Sequence, residues 1–358
     1  MYFLSYYEEF VTKSSLRRVR SCKSCGHLNR EVFKDFFMFV VFIMSLITKI
    51  FTILAITSIG LSSCSKDDTP PPINNSVDLD GTLINDSSLT FPEKFLQSAA
   101  NVNPSTWDLE KPVVISVHGF SATTFEWTEF REFSQSKNSC FNSQVLLGAH
   151  GRDYADFKNG TWQQWQQPII EEYNKLRTLG YKKIYFACSS TGCPLILDII
   201  YNNKINPDVL KYIFLVDPVV VPSNKTMTLI SAVGPALNYV ETTMEKGEDG
   251  FWYKYRPYEA IEQLNMLTQE IRKDLESGIA LPLNVGLTVY KSKKDGTADP
   301  MSAVLIKKGL KLSNGSDIEV QMIDSDIHVV TRLKGRNVIS DKDIENQKIV
   351  FNHIIGKL

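Results

Sequence analysis

Six short runs rich in β-branched residues, separated by longer stretches of helical periodicity, limit the folds open to this chain more than any other feature. The runs span 113–117, 145–147, 184–186, 212–216, 285–290 and 318–322. Strands that alternate with helices pair in parallel, because each connection returns the chain to the starting edge, and a parallel sheet must be covered on both faces. The clearest helix opens at Thr161 and places Trp162, Trp165, Ile169, Ile170, Tyr173 and Leu176 on one apolar stripe before Gly180 stops it. The pattern predicts an α/β fold, a mostly parallel sheet of at least six strands flanked by helices.

One strand-to-helix junction carries chemistry. The run Ala187-Cys188-Ser189-Ser190-Thr191-Gly192-Cys193-Pro194 follows an apolar strand and precedes the helix-like Leu195-Ile196-Leu197-Asp198-Ile199-Ile200. A serine on so sharp a turn projects its hydroxyl above the sheet, and small residues two before and two after it let the turn close. In the usual G-x-S-x-G form the first glycine would stand where Cys188 does. A serine hydroxyl is a weak nucleophile at neutral pH, so a histidine must take its proton and a carboxylate must orient that histidine. His328 follows the last strand. Three acids remain open for the third place: Asp295 after the penultimate strand, Asp299 just beyond it, and Asp217 after the fourth.

The stretch from 111 to about 355 resembles the α/β-hydrolase superfamily, and within it the bacterial carboxylesterase, monoacylglycerol-lipase-like and serine-aminopeptidase-like branch. Val117-His118-Gly119-Phe120-Ser121 resembles the branch's "HGF" loop. Gly148-Ala149-His150-Gly151, followed by Thr161-Trp162-Gln163-Gln164-Trp165, resembles its "GHG…TWxxW" run. Ser190-Thr191-Gly192 resembles its elbow, and Asp324-Ser325-Asp326-Ile327-His328-Val329-Val330-Thr331 its histidine loop, while Cys188 and Cys193 depart from its glycines. The resemblance implies a triad of Ser190, Asp295 and His328, with an oxyanion held by the backbone N–H groups of Phe120 and Thr191. Asp295-Gly296-Thr297-Ala298-Asp299-Pro300 resembles the acid loop, its carboxylate five residues before a proline that opens a helix. Asp299 is then the helix cap, or the alternative acid. About 65 residues separate the strand ending near Asp217 from the one opening near Leu283, too many for one strand–helix connection, and they read as a helical cap over about 222–282 within a domain spanning 79–358.

The implied activity is cleavage of carboxylic esters, short- or medium-chain acyl esters or monoacylglycerols, through an acyl-serine. An amide hydrolase or acyltransferase on the same triad is the first alternative, and a catalytically silent surface binding protein the second. No metal-ligand set and no phosphate loop is apparent, so neither metal nor cofactor is expected. Cys22 and Cys25 with His27 make only half a zinc site.

The N-terminal part reads as targeting sequence. Lys49, the apolar run 50–61 and Leu61-Ser62-Ser63-Cys64 have the layout of a secretory signal ending in a lipobox, which makes 44–63 a lipoprotein signal peptide and Cys64 the lipid anchor. The competing reading is a membrane-spanning helix over 36–61. Residues 64–78, with Pro70-Pro71-Pro72, form a tether, and 1–43 is an upstream extension preceding a true start at Met38 or Met44. The chain would then be lipid-anchored to the bacterial envelope, at the outer membrane on its periplasmic or surface side. Beyond residue 63 the 31 basic and 36 acidic side chains leave a net charge of about −5, with no footprint for nucleic acid. The expected partners are a small-molecule or lipid ester and, through Cys64, a membrane. His150 is read as fixing its loop, His353 as a surface residue, Trp162 and Trp165 as core, and Cys188 and Cys193 as unbridged.

Overall fold

Every neighbouring pair in the central sheet is parallel. In the computed structural model its strands are β1 (Val113–Val117), β2 (Phe141–Val145), β3 (Ile184–Ser189), β4 (Leu210–Val216), β5 (Gly286–Ser292) and β6 (Glu319–Ile323), in the order β6-β5-β4-β3-β1-β2. The structure describes residues 104–151, 154–223, 238–245, 247–248 and 251–358. The extension at 1–43, the signal at 44–63, Cys64 and the tether at 64–78 lie outside them.

Side chains alternate across the sheet, as the two-residue period of a strand requires. Val113, Ile115 and Val117 of β1 and Ile184, Phe186 and Cys188 of β3 face one apolar layer, whereas Val114, Tyr185 and Ala187 face the other. The first layer is closed by α2 (Trp162–Thr178), α3 (Gly192–Tyr201), α4 (Tyr258–Ser277) and α5 (Met301–Gly309). The second is closed by α1 (Thr128–Ser136) and α6 (Asp341–Gly356), through Phe130, Val350, Phe351 and Ile354. α2 begins as its sequence predicts. Thr161 accepts the Gln164 N–H and Gln164 returns a bond to the Thr161 N–H, so two otherwise unpaired donors are satisfied. Trp162 and Trp165 are buried in the core.

The second strand starts earlier than the apolar run at 145–147 suggests. It enters at Phe141 and passes through Asn142, Ser143 and Gln144, all buried. The donor of each of these side chains finds a partner: Asn142 Nδ2 donates to Ser134 Oγ (2.7 Å), Ser143 Oγ to Glu172 Oε1 (2.8 Å), and Gln144 Nε2 to the Thr124 carbonyl, while Asn142 Oδ1 and Gln144 Oε1 have no protein partner among the described residues.

In the span 222–282, where a helical cap is expected, the described residues include a ribbon, a long helix and the two-residue strand Ile279–Ala280, which pairs with Leu310–Lys311. A two-stranded antiparallel ribbon pairs Tyr239–Glu241 with Tyr255–Pro257. The 20-residue α4 follows and buries Ala260, Leu264, Leu267, Ile271 and Leu275 in the main core, so its inner face belongs to the layer beneath the sheet.

Candidate active site

The strand order changes direction at one place. From β1 the sheet grows outward through β2, and from the adjacent β3 it grows the other way through β4, β5 and β6. Loops leaving β1 and β3 therefore part company, and the crevice they leave at the carboxyl ends is where open α/β sheets bind ligands. Phe120 lies on the first of these loops and Ser190 on the second.

Ser190 is held at φ 48°, in the left-handed region. A non-glycine residue there costs of the order of 1–3 kcal/mol, and neighbouring contacts have to enforce it. They do so from both sides: the Ser190 N–H donates to the Val216 carbonyl (3.0 Å), and the Ser190 carbonyl accepts from Cys193 N (3.2 Å) and Val219 N (3.3 Å). Glycine is required at two neighbours. A Cβ on Gly192 would lie 2.7 Å from the Val117 carbonyl, and one on Gly119 would lie 2.9 Å from Ser190 Cβ. Cys188 meets no such limit because its side chain enters the core layer below the turn.

Ser190 Oγ donates to His328 Nε2 at 2.9 Å, and His328 Nδ1 donates to Asp295 Oδ2 at 2.7 Å. Of the three acids left open by the sequence, the structure brings Asp295 to the imidazole. Its other oxygen accepts the N–H groups of Thr297 (2.8 Å) and Ala298 (3.0 Å). Burial alone would raise the Asp295 pKa, but the His328 hydrogen bond and the charges of His328 and Lys291 outweigh it and hold the carboxyl down at about 2. Asp299 instead accepts the Met301 N–H (2.8 Å) at the start of α5. Asp217 is fully buried behind the site and accepts from Ser292 N (2.7 Å), Ser292 Oγ (3.2 Å) and Val330 N (3.0 Å).

Lys291, on β5 and without solvent exposure, joins the two acids. Its Nζ is 3.2 Å from Asp217 Oδ1 and also hydrogen-bonds Asp295 Oδ2. Asp217, Asp295 and His328 converge closely enough to suggest a metal site, but the cation between the two carboxylates is already the lysine ammonium. The donor set therefore does not fit an added metal ion.

Across the crevice, the N–H groups of Phe120 and Thr191 find no protein acceptor among the described residues, and both residues line the cavity above Ser190. The loop of Phe120 is braced from beneath. His118 is fully buried; its Nδ1 donates to the Gly119 carbonyl (2.8 Å) and its Nε2 accepts the Leu147 N–H (3.0 Å). Burial lowers its pKa to about 4, so it stays neutral and serves both bonds. Glu126 accepts the Gly119 N–H (2.9 Å) and the Ser189 hydroxyl. His150 donates to the Gly148 carbonyl (3.0 Å) and packs against Phe157 and Trp165, the loop-fixing role read from the sequence. His353 is not the surface residue expected of it: it is half-buried, with Tyr290 Oη 2.6 Å from its Nδ1. Cys188 and Cys193 are free and buried, and burial raises both thiols well above their usual range.

The cavity is about 450 Å³. Its far wall carries Trp252 and three arginines, and Arg332 and Arg336 tie the segment before Trp252 to the His328 loop through Glu248 (2.6 Å) and Glu245 (3.3 Å). Lys291, Glu126 and these arginines escape a reading of the sequence. Only Lys291 leaves a trace: a charged residue ending an apolar strand, four before an aspartate, has to be paired if it is buried.

No family model and no curated protein matches the sequence. Solved structures do. The chain is similar to a structure described with the metagenome-derived lipolytic enzymes LipS and LipT, at 16% identity and a TM-score of 0.55 over 70% of this chain and 95% of that one. It is also similar to a monoacylglycerol lipase from Paleococcus ferrophilus, at 12% identity and a TM-score of 0.53 over 70% of this chain and 97% of that one. A soluble variant of monoglyceride lipase from Saccharomyces cerevisiae, solved with a substrate analog, matches at 12% identity and a TM-score of 0.55 over 69% of this chain and 86% of that one. At such identities the likeness establishes the fold, and the fold is that of the α/β-hydrolases.

Removing one member of a buried ion pair typically costs about 3–5 kcal/mol, because the other charge is stranded. Lys291→Met should lower the free energy of unfolding by that amount in urea melts. Combined with Asp217→Asn it should cost at least about 1 kcal/mol less than the sum of the two single losses. An unchanged urea midpoint in Lys291→Met would show that the ammonium does not hold the acids.

Proposed function

We propose that the chain is a serine hydrolase that cleaves carboxylic esters through an acyl-serine. The observation that carries this reading is the unbroken line from Ser190 Oγ through His328 to Asp295, with Phe120 and Thr191, whose N–H groups have no protein acceptor among the described residues, lining the same cavity. Ser190 Oγ attacks the ester carbonyl as its proton passes to His328 Nε2, and Asp295 stabilises the imidazolium through Nδ1. The carbonyl oxygen becomes an oxyanion between the Phe120 and Thr191 N–H groups, each such donor contributing about 10²- to 10³-fold in rate. Collapse breaks the bond to the alcohol oxygen, which takes the proton from His328. Water then attacks the acyl-serine, gives its proton to His328 and releases the acid, with Ser190 reprotonated.

Fold neighbours that include lipolytic enzymes and monoacylglycerol lipases support ester substrates, and short- or medium-chain acyl esters or monoacylglycerols are the class we infer. We also infer that the domain is tethered to the bacterial envelope through lipidated Cys64, on the support of the apolar run and lipobox-like Leu61-Ser62-Ser63-Cys64.

Hydrolysis of p-nitrophenyl esters of increasing acyl length by the purified full chain tests the first reading. Ser190→Ala and His328→Ala should lose about 10⁶-fold in kcat, and Asp295→Asn about 10⁴-fold, while Asp299→Asn stays near wild type. Equal losses in Asp295→Asn and Asp299→Asn would sink the assignment of the acid. The anchor is tested by fractionation of bacterial cells. The wild-type chain should follow the membranes and incorporate radiolabelled palmitate, and Cys64→Ser should lose the label; labelling that persists in the variant would refute it.

A further inference from the structure

A cation on a cavity wall, partly withdrawn from water, calls for an anion, from the protein or from a ligand. Arg256, Arg332 and Arg336 all line the cavity above Ser190. Two of them are committed. Arg332 pairs with Glu248 at 2.6 Å and lies 4.6 Å from the centre of the Trp252 ring. Arg336 pairs with Glu245 at 3.3 Å and donates to the carbonyls of Arg332 (2.8 Å) and His328. The other acid on the wall, Glu126, is taken up by the Gly119 N–H and the Ser189 hydroxyl.

Arg256 differs from both. It sits on the ribbon opposite Val240, and among the described residues its guanidinium has no ion pair and no hydrogen bond, with Nε also shut off from solvent. Burial pushes its pKa down to about 10, opposed only by the charge of Glu248, which already serves Arg332. The same cavity presents the apolar side chains of Val219, Pro222, Ile261 and Leu264.

We propose that Arg256 binds an anionic group of the substrate, so that the ester cleaved at Ser190 carries a carboxylate on its acyl or its alcohol side. This rests on the serine-hydrolase reading above. A guanidinium offers a planar fork of N–H donors that matches the two oxygens of a carboxylate. The apolar wall takes the hydrocarbon joining that carboxylate to the scissile carbonyl, and the carbonyl oxygen lies at the Phe120 and Thr191 N–H groups. An uncharged ester that filled the cavity would displace water from Arg256 and return nothing to it.

Matched esters test the assignment. p-Nitrophenyl hydrogen adipate against p-nitrophenyl hexanoate places the carboxylate on the acyl side, and 3-butyryloxybenzoate against phenyl butyrate places it on the alcohol side. After correction for each uncatalysed rate, kcat/KM of the full chain should favour the anionic member of at least one pair by about 10- to 100-fold, the range of a charge-assisted hydrogen bond. Arg256→Gln should abolish that preference and Arg256→Lys should retain part of it. Calorimetric binding of monomethyl adipate to Ser190→Ala, and its loss in Ser190→Ala with Arg256→Gln, gives a readout independent of turnover.

Turnover of all four esters without preference, or a preference that Arg256→Gln leaves intact, would overturn the anion site and leave the hydrolase standing. Arg256-dependent binding of monomethyl adipate with no turnover of any ester would support the anion site and remove the hydrolase. Neither binding nor turnover would overturn both. Should Arg256→Gln fail to fold, as a thermal melt would show, the wild-type preference and the Arg256→Lys variant decide.

Discussion

Taking an ammonium ion out of water costs several kcal/mol unless carboxylates meet it inside, and Lys291, with no solvent exposure, is met by two. Asp217 comes from the end of β4 and Asp295 from the loop beyond β5. Both also accept backbone N–H groups, Asp217 from Ser292 and Val330, Asp295 from Thr297 and Ala298. One buried charge cluster thus fixes two strand ends, the acid loop and the histidine loop against each other. The aim of His328 at Ser190 is a consequence of that fixation, since the imidazole is tethered through the same Asp295 oxygen that Lys291 holds. Asp295 stays ionised because its hydrogen bond to His328 and the Lys291 ammonium beside it outweigh the cost of its burial.

The opposite wall is fixed by backbone rather than by charge. Gly192 brings the first turn of α3 against the end of β1, and Gly119 lets the loop after β1 pass Ser190. Beneath that loop a neutral His118 and the Glu126 carboxylate hold the carbonyl and N–H of Gly119. The loop that carries Phe120 is thus held in place by groups other than Ser190 and His328, the kind of preorganisation that the proposed oxyanion site requires.

Much of this arrangement was legible in the sequence because apolar and catalytic residues follow simple rules of spacing. Strands β1, β3, β4 and β5 show as β-branched runs, since a parallel sheet buries both faces. The order of Ser190, an acid and His328 along the chain points to the carboxyl edge. β2 was hidden at its start because Asn142, Ser143 and Gln144 look like a loop until Ser134, Glu172 and Thr124 are known to accept from their donors. The acid could not be settled by position alone, as Asp217, Asp295 and Asp299 all follow strands; hydrogen bonding separates them. The ribbon was invisible because strands of three residues carry no period, and the isolation of Arg256 depends on which glutamate meets which arginine across more than eighty residues of chain.

Mapping the site of covalent modification by a fluorophosphonate probe on the purified chain bears most directly on the Ser190–His328–Asp295 arrangement. Phosphonylation of the peptide containing Ser190, with loss of labelling in His328→Ala, is the predicted result. A folded chain that remains unlabelled, or that is labelled at another residue, would contradict it.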